Sequence, residues 1–297
     1  MRCPDRILAD LRARGELWEV APGLIGLRGD LLSLYRAVER TMAGQAALEG
    51  AEEWLAPPAI PLESLERGEY FDSFPQWLTL AAHLRDDASV LEDVARNPHP
   101  AAAARDAAAP AGAALQPAVC WHAYVALAGT FLTRQRTLTL QGSCWRHEGA
   151  RLQPLARGWA FTMREIVAFG TSDVVEAFRQ RGVRRAVALA GSFGLEATVA
   201  AASDPFFAPT ARGKALLQRV KALKHELVVQ LGDGRALAVA SFNHHEDFFG
   251  DRFDIRLADG GIAASGCVAY GIERWVLAIV AAHGPDAAGW PVVGERA

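Results

Sequence analysis

Apolar positions along the chain follow two periods. Over residues 5–14 they recur at three- and four-residue steps, which predicts a short amphipathic helix. The same spacing returns over 31–48, where Leu31, Leu34, Tyr35 and Val38 share one side. Trp54-Leu55-Ala56 predicts a strand stopped by Pro57 and Pro58. Gly68 to Pro75 predicts an aromatic loop. Residues 97–117, rich in Ala and Pro and poor in large apolar side chains, predict a surface loop, lid or linker. From residue 137 a period of two takes over. Residues 137–141, 160–169, 227–231, 236–242 and 253–257 read as strands, with turns at Gly232-Asp233-Gly234 and Gly260-Gly261. Helices are predicted over 174–181 and 213–223, and a buried one over 271–282 with Glu273 and Arg274 at its start. Strands with helices before and after them, and no regular βαβ alternation, predict an α+β fold built on an antiparallel sheet.

Composition narrows the setting. A chain of 297 residues, 51% of them hydrophobic, can bury a substantial core. Its net charge of −3 gives no overall positive field to attract nucleic acid. No apolar run is long enough to span a bilayer, and charges interrupt the first residues where the apolar segment of a leader would sit. A cytoplasmic, reducing setting is expected. There Cys3, Cys120, Cys144 and Cys267 are thiols or metal ligands rather than disulfide partners.

Several residues could carry chemistry. Arg146 and Glu148 lie two apart after a strand pattern, so both are expected on one face. A guanidinium beside an acceptor suits a phosphate ester and a base or amine, though an isolated Arg-x-Glu is more often a surface ion pair. Arg274 follows a glycine-containing stretch, Ser265 to Gly271, that lets backbone approach a ligand; Gly plus Arg is equally common in ordinary turns. Cys120, Glu165 and Cys267 offer two thiolates and a carboxylate, enough for a three-ligand zinc site with an open position, but spacing alone favours buried unliganded cysteines. His244-His245-Glu246-Asp247 fits a metal site or a polar strand end facing a substrate. Arg179, Arg181, Arg184 and Arg185 form one basic cluster, and Arg212, Lys214, Arg219, Lys221 and Lys224 another. Each is a solvated face by default and a docking face for an acidic partner otherwise.

The order of these fragments carries a resemblance. Trp145-Arg146-His147-Glu148, a polar loop and Phe161-Thr162-Met163-Arg164-Glu165 resemble motif 2 of class II aminoacyl-tRNA synthetases. Gly266 to Arg274 resembles their motif 3, and the helix from Leu31 followed by a strand and Pro57 resembles motif 1. More narrowly, the chain from about residue 50 onward resembles amino acid:carrier protein ligases, relatives of the catalytic core of archaeal-type seryl-tRNA synthetases. Gly68 to Gln76, Asp204-Pro205-Phe206-Phe207, Ser241 to His245 with Asp247 and Phe249-Gly250, and Ile255 to Gly260 carry that likeness.

The resemblance implies one class II synthetase-like catalytic domain over 1–297, an antiparallel β-sheet flanked by helices. Residues 1–50 would be a helical segment, too short for a tRNA-binding arm. It implies activation of a small amino acid, glycine or alanine, to an aminoacyl-adenylate, and transfer to the phosphopantetheine thiol of a small acidic carrier protein. Site residues follow by matching position. Cys120, Glu165 and Cys267 would hold Zn²⁺ and, with Asn243, the amino acid. Arg146, Glu148, Phe161 and Arg274 would bind ATP, with Arg146 and Arg274 catalytic; Glu226, which no motif matches, is the carboxylate expected on the accompanying Mg²⁺. Cys3 and Cys144 have no such counterpart and read as structural. A homodimer without tRNA or membrane partners is expected. The alternatives are a truncated paralogue that charges tRNA and a non-catalytic regulatory subunit.

Overall fold

The computed structural model describes residues 3–207, 213, 218 and 220–291. Helix α1 (Pro4–Ala13) leads into a hairpin, β1 (Leu17–Ala21) and β2 (Leu24–Leu27), and then the long α2 (Gly29–Leu48) and β3 (Glu52–Trp54). A small antiparallel sheet follows, in the order β4 (Ala59–Pro61), β6 (Ala113–Leu115), β5 (Thr79–Ala81). Between its strands lie α3 (Leu62–Arg67), α4 (Tyr70–Ser73), α5 (Ala88–Arg96) and α6 (Pro100–Asp106). Two expected loops therefore contain helix. The Gly68–Pro75 loop holds α4. The Ala-rich stretch forms α6, whose alanines are good helix formers, and then β6. No residue of α5 or α6 is buried.

The rest of the chain builds the main sheet. After α7 (Trp121–Ala126) and the short β7 (Phe131–Leu132) come β8 (Arg136–Trp145), β9 (Ala160–Gly170), α8 (Ser172–Ser192), β10 (Ala197–Ala201), β11 (Lys224–Gln230) and β12 (Ala236–His244). Then follow α9 (Phe248–Phe253), β13 (Arg256–Leu257), β14 (Ala264–Gly271) and α10 (Ile272–His283). Seven strands run in the order β10-β11-β12-β14-β9-β8-β3, antiparallel at every step except the parallel β3–β8 pair. The α+β expectation holds.

Each face of this sheet has its own core. Helices α1, α2, α8 and α10 pack on one face over Ile166, Val268, Tyr270 and Phe242. Burying one strip on each long helix removes roughly 25 cal/mol of unfavourable hydration per Å² of apolar surface. On the other face α7, α9 and the small sheet cover Leu138, Val167 and Phe169 and leave the middle strands open as the floor of a cleft. Helix α8 runs well past the expected 181 because Gly182 serves packing rather than termination. A Cβ there would sit 2.5 Å from the Val268 side chain, so glycine lets α8 lie close on β14.

Two predicted elements differ. Residues 253–257 are not one strand: Phe249 and Phe253, four apart, instead stack around Tyr124 from helix α9, and Asp254 ends that helix in a left-handed conformation (φ 52°). The predicted 213–223 helix lies mostly outside the described residues. Among the described residues, no helix is long and apolar enough to cross a membrane.

Candidate active site

The cleft, about 630 Å³ in volume, lies over β9, β14 and β12. Strand alternation sends Phe161, Met163 and Glu165 of β9 into it, together with Cys267, Ala269 and Gly271 of β14. Asn243 of β12 sits opposite Cys267 in the ladder. Two chemically different ends result.

At one end the ligand atoms of Cys120, Glu165 and Cys267 lie within 4.8 Å of one another, and all three residues are buried. Cys120 comes from the turn that starts α7, and its backbone N–H donates to Glu165 Oε2 at 3.0 Å. The Cys120 thiol bonds toward Cys267, which pushes Cys120 up and holds Cys267 well below the usual thiol range. Burial foremost, with Cys267 beside it, pushes Glu165 up to about 8. Three acidic donors so close in a dry site are mutually costly without a cation. Two thiolates and a carboxylate are a donor set that suits zinc, with bonds of about 2.0–2.3 Å. The surroundings fit thiolate ligation: Asn243 Nδ2 donates to Cys267 Sγ at 3.2 Å, with His245 Nε2 at 3.9 Å. His245 is held in turn by Tyr124 Oη at 3.0 Å and Ser265 Oγ at 3.3 Å. Tyr124 was not legible as part of a site, since its only signal is an apolar helix face. Cys144 is buried but does not join this group, and all four cysteines are free thiols.

At the other end arginines meet aromatic rings. The Arg146 guanidinium lies between Trp77 (5.0 Å) and Phe161 (5.4 Å), and its Nε donates to the Pro117 carbonyl at 2.9 Å. Trp77 stacks on Phe74, and Phe74 on Phe206, at 5.1 and 5.0 Å. The 68–75 and 204–207 segments thus wall the cleft through ring contacts, a role their sequences show only as aromatic content. Arg274 donates to the carbonyls of Ala156 (2.8 Å) and Ala238 (3.0 Å). Burial, then Arg157 and Arg146, lowers Arg274 to about 10, so a polyanion there would be strongly attracted.

Arg146 lines both the main cleft and a small crevice beside it, whereas Glu148 lines the crevice. Strand β8 ends at Trp145, so alternation does not carry through to Glu148. Glu148 walls that crevice with Phe161 and Arg274, where its carboxylate accepts from Arg157 and lies 3.9 Å from Arg151. Glu226 faces the cleft but pairs with Lys224 at 3.2 Å. Lys224 is buried and also bonds Asp204; burial works against its charge, but Asp204 and Glu226 outweigh that and hold it high. It is therefore no part of a solvated basic face. Lys221 pairs with Glu246, while Arg212, Lys214 and Arg219 lie outside the described residues.

No family model matches the chain. Its architecture is that of class II seryl-tRNA synthetases. The M. kandleri enzyme, solved with A. aeolicus tRNASec, superposes with a TM-score of 0.87 over 98% of this chain and 59% of its own, at 23% identity. The Pyrococcus horikoshii enzyme, solved with ATP, superposes with a TM-score of 0.72 over 95% of this chain and 59% of its own, at 14% identity. In sequence, the type-2 serine–tRNA ligase of Methanocaldococcus jannaschii is 24% identical over 90% of this chain, which spans only 54% of that relative. Amino acid–acyl-carrier-protein ligase 1 of Bradyrhizobium diazoefficiens is 34% identical over 245 residues, 82% of this chain and 74% of the relative. At that identity and coverage, the chain belongs to the amino acid–acyl-carrier-protein ligase family.

Proposed function

We propose that this chain activates a small amino acid, glycine or alanine, with ATP and passes it to the phosphopantetheine thiol of a carrier protein. The observation that carries the reading is the two-ended cleft on one strand face. From Cys267 to Gly271 is four residues, about 13 Å along β14, and that span separates an amine-binding end from a nucleotide-binding end. An aminoacyl-adenylate is a molecule with an amine at one end and a base at the other.

In the first step the substrate carboxylate attacks the α-phosphorus and pyrophosphate leaves. Arg146 stabilises the charge that builds on the α-phosphate oxygens. Arg274 holds the γ-phosphate and one face of the adenine, Phe161 takes the other face, and Glu148 accepts from the adenine amino group. Glu226 is the carboxylate assigned to the Mg²⁺ that accompanies ATP, which requires Lys224 to rest on Asp204 alone. Cys120, Glu165 and Cys267 hold zinc, which when bound supplies a Lewis-acid position for the neutral substrate amine. Asn243 lines the same pocket and keeps the Cys267 thiolate hydrogen-bonded. In the second step the thiol loses its proton and attacks the adenylate carbonyl; a thioester forms and AMP leaves.

Two partner assignments follow. The basic segment from Arg212 to Lys221 is assigned to an acidic carrier by charge complementarity, with the 179–185 cluster second; there Arg179 is engaged by Glu176, and Arg181 and Arg185 by Glu49. Strand β3 ends the main sheet, and Leu48 and Leu55 beside it are 64% and 97% exposed. A homodimer that covers this edge is expected, and sedimentation at micromolar concentration should show twice the 31.9 kDa chain mass.

The test is ATP–pyrophosphate exchange across the twenty amino acids with bound zinc measured on the same sample, followed by acylation of a phosphopantetheinylated carrier and of tRNA. Exchange with glycine or alanine and thioester formation are expected. Charging of tRNA in place of the carrier would overturn the acceptor, and absence of exchange would overturn the activity.

A further inference from the structure

The ladder between β9 and β14 ends at the Met163–Gly271 pair, because β14 turns into α10 at Ile272. Strand β9 continues toward the nucleotide end with β8 still on its far side, Ser143 opposite Thr162. The Thr162 N–H therefore faces a place where the strand partner has run out. A buried amide left without an acceptor is costly. The Glu273 side chain fills that place: both carboxylate oxygens accept from Thr162 N, each at 2.9 Å. Tyr35 of α2, close enough to Glu273 to feel its charge, donates its hydroxyl to Thr162 Oγ1 at 2.6 Å. Thr162 adjoins Phe161, and Glu273 adjoins Arg274.

We propose that Glu273 is a positioning residue for nucleotide binding: its carboxylate substitutes for the missing strand partner of Thr162 and so fixes Phe161 relative to Arg274. The assignment rests on Phe161 and Arg274 as the pair that holds the adenine. Packing alone does not account for a carboxylate here. Burial pushes Glu273 up to about 7, and an apolar side chain of similar size would fill the volume without an ionisable group withdrawn from water. What an apolar side chain lacks is an acceptor that reaches Thr162, and that bond ties the first residues of α10 to the end of β9.

The experiment measures ATP–pyrophosphate exchange for the full chain and for Glu273→Ala, Glu273→Asp, Glu273→Gln and Val229→Ala. Val229 is buried in β11, away from the cleft, and its truncation serves as a matched loss of stability. Glu273→Ala should raise KM for ATP by about tenfold or more while KM for the amino acid stays within about twofold. Glu273→Asp keeps the charge but withdraws it from Thr162, so it should show most of the same rise, and it serves alone if the alanine variant does not fold. Glu273→Gln keeps an acceptor oxygen and should recover KM for ATP to within about threefold. Val229→Ala should leave it unchanged. An unchanged KM for ATP in Glu273→Asp, or equal shifts in both KM values matched by Val229→Ala, overturns the assignment while the activity stands. Absence of exchange in the unmutated chain overturns both.

Discussion

The two ends of the cleft are built on opposite principles. At the zinc end three acidic donors converge within 4.8 Å, and burial opposes charge on each of them. That arrangement is electrostatically incomplete on its own, which is why a divalent cation is proposed there. At the nucleotide end the guanidiniums are held by protein acceptors: Arg146 lies on Pro117 O between two rings, and Arg274 lies on two backbone carbonyls, although burial and its arginine neighbours still lower it to about 10. That end is arranged before any ligand arrives. Loss of a residue at the first end should therefore cost both stability and activity. Loss at the second should cost activity with the fold and the metal intact.

The largest expected effect is at the zinc end. Cys120→Ser or Cys267→Ser should abolish bound zinc and lower exchange by at least about a thousandfold, since the amine loses its anchor as well as its selection for the neutral form. Chelation of the unmutated protein should lower its melting temperature and zinc should restore it; metal analysis alongside the thermal scans checks both. Full exchange without metal would break the comparison at its first term.

Arg146→Ala comes next. Removal of a fixed charge that meets the developing oxyanion typically costs about 10²–10³ in rate. Zinc content should stay at its unmutated level, and the folded state loses the ring contacts to Trp77 and Phe161 and the hydrogen bond to the Pro117 carbonyl. A variant that loses its zinc together with its exchange activity would show that the two ends are one cooperative unit.

Phe161→Ala should be milder still. A lost stacking surface of about 1–3 kcal/mol corresponds to a rise in KM for ATP of roughly tenfold, with zinc and amino-acid KM unmoved. Equal movement of both KM values would indicate that the cleft floor has shifted as a whole.

The same contrast governs how much could be read from sequence. Strands β8 and β12 and helix α2 show clear periodicity, and α10 reads as a helix that is apolar all round. Strand β14 shows no such periodicity, because Ala264 to Tyr270 are buried throughout and small residues dominate, so no alternation survives. Yet β14 is the strand that brings Cys267 beside Glu165, through the Ala269–Glu165 pairing one step away. Residues at 120, 165 and 267 have no local signal of joining; only the resemblance to a known family pointed to them. At the nucleotide end Arg146 and Arg274 stand out as residues, but their patterns fit ordinary ion pairs and turns equally well, and Phe161 was singled out by the resemblance alone. What sequence could not show there is that Glu148 turns out of strand register, that Trp77 covers the Arg146 guanidinium, and that Lys224 is buried against Asp204 and Glu226.

The smallest expected effect separates rigidity from charge at the nucleotide end. Glu273 is pushed from 4.5 up to about 7, by burial first, with the Thr162 amide and Arg274 partly opposing; Tyr35 above it is neutral in this range. Below about pH 4.5 the carboxyl is protonated in the folded and unfolded chain alike. Between there and about 7 the unfolded chain releases the proton while the folded chain keeps it, so folding stability declines as pH rises, and above about 7 this contribution is flat. A shift of that size corresponds to about 3 kcal/mol as an upper bound, or a few degrees in melting temperature for a chain of this length. Glu165 titrates over an overlapping range, so the informative quantity is the difference between two proteins. Glu273→Gln should melt higher than the unmutated chain at pH 8 and match it near pH 4.5, both with zinc bound at pH 8. Parallel pH profiles would mean that Glu273 ionises as readily in the folded chain as in the unfolded one, its charge fully met by the Thr162 amide and Arg274.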